Sequence, residues 1–96
     1  MTDDPVDALL ATMLRDVYPR LEVGARAIIH SELSCDADVY MAVDDMLQFS
    51  LLSDVPISTA LLDQAEAAIN WWWDEELTQR TLGWVAKHRA KHTVAA

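Results

Sequence analysis

The chain has one cysteine, two glycines and three prolines in 96 residues. A lone Cys35 cannot close an internal disulfide, so a reducing compartment, the cytoplasm, is the expected one. With only Gly24 and Gly83 there is no glycine-rich loop of the kind whose backbone amides cradle phosphate, and neither GxxxxGK[ST] nor GxGxxG occurs. No long apolar run exists either. The longest uninterrupted stretch runs from Val39 to Val43, far short of the roughly 20 residues that cross a bilayer. Asp3 and Asp4 open the chain where a secretory signal would place positive charge.

Positive charge is scarce. Residues 1–76 hold all 16 acidic residues and only Arg15, Arg20 and Arg26, a net −13, while Arg80, Lys87, Arg89 and Lys91 give residues 77–96 a net +4, for −9 in all. A body so negative repels nucleic acid and anionic lipid and draws in basic partners. The basic end suits the last turns of a helix, where cations meet the negative end of the dipole. What the chain has in quantity is apolar surface, 52% of residues, enough to expect one self-contained domain over residues 1–96.

The apolar residues recur at helical spacing, and no period-two run or Asn-Gly or Asp-Gly turn competes. Asp4-Pro5 is a cap followed by a first-turn proline, starting a helix that carries Val6, Leu9, Leu10, Met13, Leu14 and Val17 to about Tyr18. A second helix is expected from Arg20 to Glu32, with Leu21, Ala25, Ile28 and Ile29 inward. A third, capped by Asp36, runs from Ala37 to Leu52 with Asp38, Asp44, Asp45 and Gln48 toward solvent. Pro56 and Ser58 introduce a fourth from Thr59 to about Trp73, with Trp72 inward and Ile57 stapled on Leu62. The fifth carries Leu77, Leu82, Trp84, Val85 and His88, either separate or as the far half of one bent helix. The expected architecture is an all-α bundle of four or five helices.

No constellation supplies a defined nucleophile, base and electrophile, so no enzyme is expected. Cys35 could pair with His30, His88 or His92, but no nucleophile signature surrounds it. His88 and His92 stand four apart, as metal ligands on a helix can, yet Arg89 occupies the place of a zinc hydrolase's glutamate, and two surface histidines are expected. Asp36 and Asp38 lack the glycine and closing glutamate of a calcium loop. No cofactor or metal is expected.

Two features do stand out. Asp38, Asp44 and Asp45, Asp54, and Asp63 with Glu66 would form one acidic face if helices three and four were antiparallel neighbours. Successive helical residues point about 100° apart, so Trp71, Trp72 and Trp73 cannot all enter one core, and an exposed tryptophan beside Asp74, Glu75 and Glu76 suits a partner surface.

The segment from Val43-Asp44-Asp45-Met46-Leu47 through Ser53-Asp54-Val55-Pro56-Ile57-Ser58 to Leu61-Leu62-Asp63 resembles the small acidic helical immunity proteins of bacterial toxin systems, colicin-type inhibitors among them. Asp54 is followed here by Val55 and Pro56, where the colicin-nuclease subfamily has a Tyr-Tyr-Pro run. The resemblance implies a non-catalytic inhibitor that neutralises a basic toxin domain by tight binding. The expected partner-binding residues are Asp38, Asp44, Asp45, Asp54, Asp63, Trp71 and Trp73, and the expected partner is a basic protein, with neither nucleic acid nor membrane. The alternative is a homo-oligomeric structural or regulatory protein, at its simplest a homodimer, that pairs through the tryptophan surface.

Overall fold

The computed structural model describes residues 4–35 and 37–95, with side chains as far as residue 92. Five α-helices and one 3-10 turn account for the described elements, an all-α bundle with no strand among the described residues. Among the described residues no helix is long and apolar enough to cross a membrane.

Helix α1 (Pro5–Asp16) begins as its sequence dictates: the Asp4 carboxylate accepts the Val6 N–H at 2.8 Å, and Pro5 takes the first helical position. Val6, Leu9 and Met13 turn inward at three- and four-residue spacing. The helix stops short of Tyr18 because Pro19 lies in a 3-10 turn, Tyr18–Arg20, after which Leu21 is extended and buried. That turn displaces α2 (Val23–Cys35) three residues from its expected span. Ile29 is fully buried, whereas Ile28, expected inward, is largely exposed.

Helix α3 (Val39–Leu52) starts later than expected because Ala37 is left-handed, with φ 49°, and cannot be helical. Asp38 is the cap, accepting the Met41 N–H at 3.0 Å; Asp36, the expected cap, lies outside the described residues. At its far end the Val55 N–H returns to the Ser50 carbonyl and the Asp54 N–H to that of Leu51, with Asp54 left-handed at φ 55°. This is a Schellman closure with aspartate in the usual glycine position. Ser58 caps α4 (Thr59–Trp71) by accepting the Leu61 N–H, and Ile57 and Leu62 are both buried.

The tryptophan triplet is where the chain turns. Helix α4 ends at Trp71, Trp72 is extended at φ −170°, and Asp74 accepts the Glu76 N–H at 2.9 Å to cap α5 (Glu75–Ala95). Helices α4 and α5 are therefore separate. The break places Trp73 in the core, 4% exposed, and leaves Trp71 and Trp72 at 59% and 57%. Trp72 is thus not an inward residue of α4, and Trp73 is not on the surface.

Side-chain pairs fix the packing directions. Thr12 meets Gln64 across α1 and α4 and the end of α1 (Arg15, Asp16) lines one depression with the start of α4 (Ser58, Leu61), while Arg89 of α5 returns to Asp63 and Glu66 of α4, so both pairs of helices are antiparallel. Contacts between α3 and α5 advance together, Asp44 with Arg80, Ser50 with His88 and Leu51 with Lys91, so these two run parallel. Helix α3 packs against α1, α2 and α5. From Ala42 to Leu47 every residue of it is buried, Asp44 and Asp45 included. Leu9, Met13, Ile29, Met46, Leu47 and Leu62 form the centre of the core.

Trp73 and Trp72 should respond very differently to truncation. Trp73→Ala removes a buried ring and should cost about 3–5 kcal/mol in urea unfolding, whereas Trp72→Ala should stay within about 1 kcal/mol.

Candidate functional site

The five aspartates expected to share one face do not share it. Asp44 has no exposed surface: its Oδ1 accepts from the Thr81 hydroxyl at 2.8 Å and its Oδ2 from Arg80 Nε at 2.9 Å. The Thr81 oxygen in turn accepts the Trp73 indole N–H at 3.1 Å. Asp45 is also buried, facing Arg80 at 3.8 Å. A one-sided α3 would leave both in solvent, but three neighbouring helices enclose it. They are unavailable to a partner. Asp54 and Asp63 are exposed but engaged, by Lys91 and Arg89 respectively, each at 2.8 Å. Arg80, Arg89 and Lys91 of α5 thus bind the chain's own acids, and Asp38 serves as the α3 cap.

Burial drives an unusual pairing beside Asp44. The Glu32 carboxyl of α2 lies against Asp45, and its Oε1 is buried with no hydrogen-bond partner. Desolvation first, then hydrogen bonding to Asp45 and the charges of Asp45, Asp38 and Asp44, pushes Glu32 up to about 8. Asp45 is raised too, chiefly by its own burial. Two carboxyl groups in one desolvated site disfavour each other's ionised form, which adds to the effect of burial.

The histidines do not converge on a metal. His88 is buried, against the surface position expected of it, and its Nε2 lies 2.9 Å from the Leu47 carbonyl and 3.1 Å from Ser50 Oγ. The Ser50 hydroxyl donates to the same carbonyl at 2.9 Å. Facing a carbonyl, Nε2 carries the hydrogen, so it cannot take a proton from Ser50 and the pair is no nucleophile and base. Desolvation lowers the His88 pKa. His92 Nε2 faces the Ile57 carbonyl instead, and no group of three potential metal ligands occurs among the described residues. Cys35 is exposed and free.

What the structure does bring together lies at the end where α1, α3 and α5 begin. Asp4, Val6 and Asp7 border the same shallow depression as Ala37, Asp38, Val39 and Tyr40. The Tyr40 ring stands 5.3 Å from that of Trp72 and 5.0 Å, edge to face, from that of Trp73. Burial first, and then the charges of Asp4, Asp7, Asp74 and Asp38, at the starts of three helices, raise the Tyr40 pKa. Glu75 and Glu76 add to them in the first turn of α5. No ion pair reaches Asp7, Asp38 or Asp74 among the described residues. Of the expected site residues, Asp38 borders this patch and Trp71 is exposed in the same tryptophan triplet. No local pattern in the sequence joins Tyr40, Trp72, Asp4, Asp7 and Asp74, although the caps before α1, α3 and α5 are all aspartates.

Comparison with known proteins finds no matching family model, no matching curated protein and no matching solved structure.

Reversing Asp44 to lysine should therefore report on folding rather than on binding. Arg80→Ala, which leaves the Asp44 charge buried with only Thr81, should cost about 3 kcal/mol, and adding Asp44→Asn should recover part of that loss in chemical unfolding.

Glu32 generates a pH dependence of its own. Because its folded pKa lies above the unfolded value of 4.5, its contribution is fully present below 4.5 and is lost as pH rises toward about 8. Glu32→Gln should flatten the fall of Tm across that window and raise Tm most at its alkaline end. An unaltered pH profile would show that Glu32 is ionised in the folded protein.

Proposed function

We propose that this is a non-catalytic binding protein that engages a basic protein partner with the end of the bundle where α1, α3 and α5 begin. One observation carries the reading. The lysines and arginines of α5 are occupied by the chain's own acids or lie on Trp84, as Lys87 does at 5.0 Å, whereas Asp7, Asp38 and Asp74, which no ion pair among the described residues reaches, lie with exposed Trp72 at that end. A net charge of −9 accelerates encounter with a basic surface, and aromatic side chains supply the contact that holds after encounter.

The resemblance of segment 43–63 to small acidic immunity proteins favours a basic toxin domain as that partner, neutralised in the cytoplasm by occlusion. Asp44 and Asp45 have no part in this contact. They hold the scaffold that presents Tyr40 and Trp72.

A second reading has an observation of its own. Val23, 76% exposed, and Ile28 lie on the outer side of α2, where a second copy could cover them. Light scattering over a range of concentrations separates the two, since a strict monomer removes the homo-oligomer.

The principal test compares capture from source cells by the wild-type chain and by an Asp7→Lys, Glu75→Lys, Glu76→Lys variant, all exposed first-turn positions. A partner with a basic domain should be retained by the wild type at low salt, released as salt rises, and not captured by the variant. Equal capture by both proteins would rule out this end of the bundle as the contact.

A further inference from the structure

We propose that the Tyr40–Trp72 pair is the seat for an arginine side chain of the partner. The inference rests on the basic-partner reading and names the group that enters the site. Trp72 is extended where α4 ends, so its ring leaves the helix and stands 57% exposed. It is not a loose ring, because Tyr40 backs it at 5.3 Å with a 52° tilt, Tyr40 rests edge to face on Trp73, and the Trp73 indole is bonded to Thr81. An exposed indole held in place has its conformational cost already met before a ligand arrives.

Charge selects the occupant. A cation is attracted to an indole face, and this one stands beside Tyr40, which lines one depression with Asp7 and Asp38, while Asp74 follows two residues after Trp72. Asp38 and Asp74 each use Oδ1 for capping, by Met41 N–H and Glu76 N–H, and their Oδ2 atoms have no donor among the described residues. The chain already shows the elementary contact elsewhere, in Lys87 over the Trp84 ring. Arginine fits better than lysine for two reasons. A planar guanidinium lies flat on an indole and is less strongly hydrated, and its five N–H groups can reach carboxylates on more than one helix at once. A lysine ammonium offers only a compact charge.

The test titrates the full-length, ¹⁵N-labelled protein with octa-arginine and with octa-lysine at equal ionic strength, following the indole N–H signals and fitting Kd. Octa-arginine should bind about fivefold more tightly and move the Trp72 signal more than that of Trp84. Trp72→Ala should bring the two peptides level, and Trp72→Phe should retain part of the preference. Asp38→Asn with Asp74→Asn keeps both caps, since asparagine caps as well as aspartate, and should weaken both peptides. If the wild type binds the two peptides equally, or Trp72→Ala leaves the arginine preference intact, the seat is overturned while the basic-partner reading stands. If neither peptide binds at low salt, both are overturned.

Discussion

A carboxylate with no route to water must be answered from inside the protein, and Asp44 is such a group. The answer comes from α5, whose Arg80 and Thr81 reach it from adjacent positions. This requirement fixes where α5 lies along α3. Once Arg80 and Thr81 are opposite Asp44, His88 falls opposite Leu47 and Ser50, and Lys91 opposite Leu51 and Asp54, in parallel register. Thr81 also draws in the Trp73 indole, so the connection between α4 and α5 is pinned to the same point. Chain reversal, helix register and the position of the exposed aromatic rings follow from one buried charge.

Much of the fold was legible in the sequence, for local reasons. Asp4-Pro5 and Ser58 are caps whose chemistry acts within one turn, and the α1 stripe needs only one partner face. What failed did so where tertiary packing decides. A helix with an apolar stripe implies a wet back for Asp44 and Asp45, but α3 is enclosed by α1, α2 and α5, so both are buried. Asp74, Glu75 and Glu76 suit the first turn of a fifth helix, but the break itself carries neither glycine nor proline, so the sequence leaves open whether α4 ends before it or bends through it. Left-handed Ala37 gives no compositional signal at all.

The candidate site was legible in its ingredients but not in its assembly. Acidity, an exposed tryptophan and the neighbouring Asp74 could all be read from the chain. Which acids remain unpaired could not, because that depends on where α5 spends its cations: Arg89 on Asp63 and Glu66, Lys91 on Asp54 and Arg80 on Asp44. Each of these pairs removes a carboxylate from the expected face. Of that face Asp38 alone stays outside an ion pair among the described residues, and it lies instead with Asp7 and Asp74, where α1, α3 and α5 start side by side.

The Glu32–Asp45 pairing reaches beyond α2. In the unfolded chain Glu32 ionises near 4.5, and in the folded one near 8, so at neutral pH the protein takes up hydrogen ions from its surroundings as it folds. The folded molecule carries less negative charge than its formal −9, and the heat of its folding depends on the ionisation enthalpy of the buffer that supplies them.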